Sequence, residues 1–310
     1  MNTNLEKLNK GFWQVADPKI WVASTIPMVL GVVLSAAYDN GIHWQWLLLS
    51  FLGIYLIEIG KNAVNECVDY ISGADPAVDK EHRTPFSGGK KTIISGLLTV
   101  KESAIIGLLT LLAAAAIGFL IVLFREPKVL YIGLAGIALA AAYSLPPFKL
   151  CYRGFGELAV GIAFGPLIVC GMYVVMSQQF DLLPLLVSLP IGFLITNVLW
   201  INQFPDYEAD LTANKRNWVV RLGKESAVKA YAILFILAYA SIIVITIYTQ
   251  NFIWLIGLFT IPLALKAVKN CRENHHNIQK LIQSNTATVQ IYILTGTFLS
   301  IAAIVDGLFL

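Results

Sequence analysis

Residues 65–79 read NECVDYISGADPAVD, and residues 202–210, NQFPDYEAD, echo their plan. Each stretch opens as Asn-x-x-x-Asp at the downstream end of a long apolar run. An α-helix turns about 100° per residue, so Asn65 and Asp69 share one face, as Asn202 and Asp206 do. Acids at the edge of membrane-type segments are costly to desolvate, and by default they are functional. Carboxylates and amides in such a cluster suit a hard cation such as Mg²⁺, which is usually held together with substrate phosphates. The two motifs therefore imply a jointly built diphosphate site.

Working outward, 57% of the 310 residues are hydrophobic and only 13% are charged. Mean hydropathy is +0.71. That composition excludes a set of soluble domains on linkers and points to one all-α polytopic membrane domain over residues 1–310. Apolar runs predict nine transmembrane helices: Ile20–Tyr38, Trp44–Asp69, Ser103–Phe124, Val129–Tyr143, Phe155–Ser177, Leu182–Gln203, Ala227–Thr249, Phe252–Leu265 and Ala287–Leu310. Residues 1–19 form a polar, amphipathic lead-in with Phe12 and Trp13 at the interface. The net charge of +3 is small and dispersed, which argues against a nucleic-acid partner. No obligate protein partner is evident. Cys67, Cys151, Cys170 and Cys271 lack metal-site spacing, and no disulfide is expected.

Charge placement sets the orientation. Outside the spans, only Arg125 and Lys128 fall on the outer side once the N-terminus is placed inside. By the positive-inside rule, both acidic motifs are then cytoplasmic, on a multi-pass protein of the inner or plasma membrane. The motif helices are the second and sixth spans and run the same way, which suggests two parallel four-helix halves with a ninth helix added.

Helix two carries Glu58, Lys61, Asn62, Asn65 and Asp69 close to one stripe, which must face protein or a water-filled cavity. Glu58 and Lys61 either pair to join helices or take part in that cavity. Residues 71–102 and 206–226 read as cytoplasmic lids. The first supplies Asp75, Asp79, Arg83, Lys90 and Lys91, and the second Lys215, Arg216, Arg221 and Lys224. The link YSLPPFKLCYRGFGE, residues 143–157, places Lys149 and Arg153 at the level of the acids, where they can hold diphosphate oxygens. Glu157 is expected to orient Arg153 or line the cavity. Pro205 removes a backbone donor, so helix six should bend or stop there. Asp306 reads as an isolated acid near the outer end, and His275 and His276 as solvated loop residues.

Together, Asn65-x-x-x-Asp69 with Asp75, the 143–157 link, and Asn202-x-x-x-Asp206-x-x-x-Asp210 followed by Lys215-Arg216 and Val220-Arg221-Leu222-Gly223 resemble the UbiA superfamily of intramembrane prenyltransferases. The Asp69-to-Asp75 spacing, SGGKKTIISGLL and the KRxxxVRLG ending are most similar to the 1,4-dihydroxy-2-naphthoate polyprenyltransferases of menaquinone synthesis. The resemblance implies nine helices around a central cavity and Mg²⁺-dependent transfer of a polyprenyl group from its diphosphate to an aromatic acceptor. It assigns Asn65, Asp69, Asp75, Asp206 and Asp210 to the metal. Asn65, Asn202, Arg153, Arg83, Lys215 and Arg216 are assigned to the diphosphate, and Asp69, Asp206, Tyr143 and Lys149 to catalysis. Three departures from the pattern stand out: Pro205 where Arg often precedes the Asp, Asn214 and Asn217-Trp218 where Gly usually precedes and Thr follows the KR pair, and Ala16-Asp17-Pro18-Lys19 where Arg-Pro is usual before the first span. Asn tolerates the left-handed turn that a glycine would make. Other acceptors remain open: 4-hydroxybenzoate, haem, homogentisate or a glycerol-phosphate lipid. An ion or solute transporter would need acids near mid-membrane, whereas these cluster at one end beside basic loops.

Overall fold

The structure, a computed structural model, describes residues 2–39, 41–73 and 91–308. Asp75, Asp79, Arg83 and Lys90 lie outside the described residues. The described chain is helical, with no strand.

An amphipathic first helix, α1 (Asn2–Ala16), is followed by α2 (Val22–Asp39) at a bend of 52°. The bend falls at Trp21, four residues after Asp17 takes a left-handed φ of 43° just before Pro18. The first motif ends α3 (Trp44–Ser72), whose 29 residues are about 43 Å long at 1.5 Å per residue. A hydrocarbon core is about 30 Å thick, so α3 is longer than the core it would cross. Gly73 stops α3 with φ 83°, a conformation open to glycine and costly for residues with a Cβ.

A capping box starts α4 (Val100–Phe124): the Glu102 backbone N–H donates to Thr99 Oγ1, and Glu102 Oε2 accepts from the Thr99 N–H. Helix α5 (Val129–Ser144) has 16 residues. Next comes one span, Gly156–Ser177, made of α6 (Gly156–Ile162), a π-helical turn at Ala163–Leu167 and α7 (Ile168–Ser177). The wide turn accommodates Pro166, which lacks the donor a tighter helix needs.

The second motif ends α8 (Leu182–Asn202), and Pro205 does stop it. Two short helices follow, α9 (Tyr207–Thr212) and α10 (Trp218–Leu222), and then α11 (Lys224–Thr249). A 3₁₀ segment, Phe252–Thr260, runs into α12 (Ile261–Asn274), and α13 (Ile278–Gly307) closes the bundle.

By length and composition, seven helices among the described residues can cross a membrane, or eight if the bent α1–α2 pair is one span. The expected count of nine is not established. Helix α5 measures only about 24 Å, and α2 reaches span length only together with α1. The expected eighth span is longer than its apolar run, because Phe252–Asn274 continues as helix through Lys266 and Lys269.

Each motif helix packs chiefly on the next long span, α3 on α4 and α8 on α11. The main core lies between α8, α11 and α13, around Ile191, Leu194, Tyr231, Trp254, Tyr292 and Leu299. Glycines let the span that begins with α6 pack closely on α8. A Cβ on Gly192 of α8 would sit 2.8 Å from the Gly161 carbonyl oxygen, and one on Gly165 would sit 2.8 Å from the Gly192 Cα. At the end opposite the motifs, Asp306 is no isolated acid. Its buried carboxylate accepts from Tyr38 Oη, Asn251 Nδ2 and Trp254 Nε1, tying α2, the 3₁₀ segment and α13 together.

Candidate functional site

The two motif ends meet. On α3, Asn65 Nδ2 donates to Asp69 Oδ2 at 2.9 Å, the contact that Asn-x-x-x-Asp spacing allows. Ser144, the last residue of α5, donates to Asn65 Oδ1 at 2.8 Å. On α9, the Asp210 N–H donates to the Asp206 carbonyl at 2.8 Å, so these two acids stand one helical turn apart. Asp69 and Asp210 are 4% and 5% exposed, deep enough that their charges need partners.

The partner they share is Lys215. Its Nζ lies 3.5 Å from Asp69 Oδ2 and 3.7 Å from Asp210 Oδ1, bridging the two motifs. Burial alone would lower the Lys215 ammonium, but Asp69 and then Asp210 outweigh it and hold it well above its ordinary value. Burial pushes the Asp210 carboxyl up, opposed by Lys215 and by Asn217, whose Nδ2 donates to it at 2.7 Å. Asn217 also caps α10 through the Val220 N–H, and Asn214 takes the left-handed φ of 54° that the KR turn requires.

The 143–157 link closes over this pair. Tyr152 Oη donates to Asp69 Oδ1 at 2.9 Å and lies 2.7 Å from Ser72 Oγ. Lys149 Nζ stands 5.2 Å from the centre of the Tyr152 ring, and Lys215 Nζ 5.7 Å from it. The side chains of Arg153 and Arg216 are exposed. Arg216 Nε donates to Asn214 Oδ1, and the backbone carbonyls of Arg153 and Arg216 accept from Arg221. Glu157 does not orient Arg153. Its Oε1 accepts from Gln203 Nε2 and from the Trp218 N–H, locking the end of α8 to the start of α10.

Beneath the acids opens a cavity of about 500 Å³, walled mainly by apolar residues of α3, α5, α7 and α8. Asn65, Asn202 and Tyr143 line it, and Asn202 Oδ1 accepts from Asn285 Nδ2 at 2.7 Å. Glu58 and Lys61 both pair and line the cavity: Lys61 Nζ donates to Glu58 Oε2 at 3.0 Å, while Ser24 donates to Oε1 at 2.6 Å. Four members of the stripe read from the sequence, Glu58, Lys61, Asn62 and Asn65, thus face this space.

Sequence reasoning missed Tyr152, Ser144, Asn217 and Glu66. Glu66 Oε1 accepts from the Thr92 and Ile93 N–H groups at 2.6 and 3.0 Å, pinning the segment before α4 beside the first motif. Only Tyr152 carried a signal, as a phenol set between Lys149 and Arg153 in a polar link.

Two features bear on whether a hard divalent cation suits these residues. Asn65, Asp69, Asp206 and Asp210 offer an all-oxygen set from two segments. One ammonium also already stands between carboxylates of both, so that position is one a positive charge occupies.

The profile of the UbiA prenyltransferase family matches residues 24–303. The 1,4-dihydroxy-2-naphthoate octaprenyltransferase of Bacillus subtilis (strain 168) is 26% identical over 302 residues, covering 97% of this chain and 94% of that one. The 2-carboxy-1,4-naphthoquinone phytyltransferase of Synechocystis is 24% identical over 307 residues, 92% of this chain and 93% of that one. Among solved structures, a UbiA homologue from Archaeoglobus fulgidus bound to GPP and Mg²⁺ superposes with a TM-score of 0.65 at 15% identity, over 95% of this chain and 99% of that one. At that identity, the superposition speaks for the fold alone.

Proposed function

The chain belongs to the UbiA prenyltransferase family, and from that membership we propose that it transfers a polyprenyl group from its diphosphate to 1,4-dihydroxy-2-naphthoate, with Mg²⁺ as the metal. The observation that carries the reading is the pairing of Asp69 and Asp210 around one cationic position, one helical turn from Asn65, which lines an apolar cavity. An isoprenoid diphosphate has that same division into a charged head and an apolar tail.

In this reading Asn65, Asp69, Asp206 and Asp210 hold the metal, which when bound draws charge off the departing diphosphate. Lys215 and Lys149 add positive charge beside the phosphate oxygens, and Tyr152 fixes Asp69 in place. Asp75 and Arg83 belong to the same proposal by position in the motif. Arg153 and Arg216, exposed at the rim, are placed to meet an incoming diphosphate. The cavity wall binds the prenyl chain by area, at about 25 cal/mol per Å² buried.

Breaking the allylic C–O bond sends its electron pair to diphosphate and leaves a carbocation facing Tyr143. The electron-rich naphthalene carbon that bears the carboxylate attacks it, and loss of carbon dioxide returns the electron pair to the ring. No proton has to leave that carbon, so the site needs no base there. Both curated relatives are named for naphthalene-type acceptors but for different prenyl groups, which favours the acceptor over any one chain length. The excess of Lys and Arg at the motif end supports a cytoplasmic position for that end, on a protein of the inner or plasma membrane.

The test is a transfer assay on purified protein in nanodiscs with a long-chain prenyl diphosphate and a panel of aromatic acceptors, with Mg²⁺ or EDTA, read by mass spectrometry. The expected product has the mass of naphthoate plus prenyl minus carbon dioxide, and forms only with Mg²⁺. A product on another acceptor would replace the acceptor and keep the site. No product from any acceptor would overturn the reading.

A further inference from the structure

Far from the cavity mouth in sequence, the turn after α12 gathers a second set of ligand-type side chains. Helix α12 ends at Asn274, and His275 and His276 occupy the tight turn before Asn277 caps α13 through the Lys280 N–H. Adjacent residues of a continuing helix would point about 100° apart. Here the turn brings the two imidazoles together, ring centroids 4.3 Å apart, with His275 half-buried and His276 exposed. Glu225, in the first turn of α11, completes the group, and the ligand atoms of the three side chains lie within 4.8 Å of one another.

The hydrogen bond selects the tautomer of one ring when it is neutral. His275 Nδ1 is 2.9 Å from the Arg272 carbonyl oxygen, which can only accept, so Nδ1 donates and the neutral ring presents its lone pair on Nε2. A histidine whose second nitrogen donates to a carbonyl is the usual arrangement of a metal-bound imidazole. The neighbouring cation is turned aside, since Lys224 Nζ lies over the Tyr207 ring at 5.0 Å.

We propose that Glu225, His275 and His276 bind a divalent transition-metal ion of the zinc type, at a site separate from the magnesium centre. Two imidazoles and one carboxylate with an open fourth position form a common zinc donor set, and imidazole suits Zn²⁺ and its neighbours, whereas Mg²⁺ prefers oxygen. Tetrahedral zinc with bonds of about 2.0–2.1 Å holds its ligands roughly 3.4 Å apart. A group spread over 4.8 Å reaches that by rotating Glu225 and His276, both exposed. The ion would tie the start of α11, just after the segment in which Asn217 holds Asp210, to the α12–α13 turn.

The experiment uses the full chain in detergent with millimolar Mg²⁺ present throughout, titrated with Zn²⁺ by calorimetry and with Co²⁺ by absorption. Wild type is compared with the double variant His275→Ala/His276→Ala and with Glu225→Gln. Wild type is expected to bind one more Zn²⁺ than the double variant and to show a tetrahedral Co²⁺ band that the double variant lacks. Glu225→Gln, which leaves both rings in place, should weaken Zn²⁺ about tenfold or more. Equal stoichiometry in wild type and the double variant, or the same Co²⁺ band in both, would overturn the site, as would Glu225→Gln binding as tightly as wild type.

Discussion

Lys215 is the residue on which the two motifs converge, and its neighbours predict distinct failures. Asp69→Asn keeps the shape and removes a charge, so turnover should fall below detection while the protein still elutes as a folded species; Asp206→Asn should behave alike. Near-normal turnover in both variants would remove these acids from the metal site. Cys151, buried in the link beside Lys215 and Asp69, has its thiol pushed up to about 11, chiefly by burial. A raised thiol stays protonated in the folded chain while the unfolded one ionises near its ordinary value, so this residue's contribution to stability is present below pH 9 and declines from there towards 11. Maleimide labelling of Cys151 in the native protein should therefore be negligible at pH 7.5 and rise only well above pH 9, whereas denatured chain labels at once. The Asn65–Asp69 pair was legible because helical spacing fixes it locally. Tyr152 was not, because its hydrogen bond spans 83 residues and no local pattern encodes it.

At the level of elements, the crossing of the α6–α7 span on α8 decides whether Glu157 can reach Gln203 and Trp218. That crossing depends on a glycine facing backbone. Gly192→Ala would press a methyl group on the Gly161 carbonyl and should destabilise the fold by about 1–3 kcal/mol, seen as a lower melting temperature in fluorescence-detected size exclusion. Gly118→Ala in α4 meets nothing within 4 Å and should be neutral or stabilising by about 0.5–1 kcal/mol. Equal effects of the two would refute the close-packing account. Helix positions were legible from apolar runs, and the stop at Pro205 from proline's missing donor. The over-length of α3 and the shortness of α5 were legible too, each within three residues of its observed end; the partners of Asp306 were not, because hydropathy reports what a segment avoids and says nothing of what it touches.

For the whole molecule, Mg²⁺ and a prenyl diphosphate should act on stability as one ligand. A complex saturated at about 100 times its dissociation constant gains about 2.7 kcal/mol, so the melting temperature should rise with both present and fall back on adding EDTA. A rise with the diphosphate alone, unaffected by EDTA, would detach the metal from the site. The helical membrane class was legible in composition alone, and the meeting of the motifs in their repetition, while the span count was blurred by a bent pair and a short helix that composition does not distinguish from ordinary spans. The stripe on α3 also has a history in time. Chains emerge at about 5–20 residues per second, so Lys215 follows Asp69 by roughly 7 to 30 seconds. Glu58, some 16 Å further along α3 from the motif end, needs no such wait: Ser24 precedes it and Lys61 comes three residues later. The polar group furthest from the motif end is thus satisfied by what the ribosome has already made or makes next. The acid at that end can rely on water until its partner arrives.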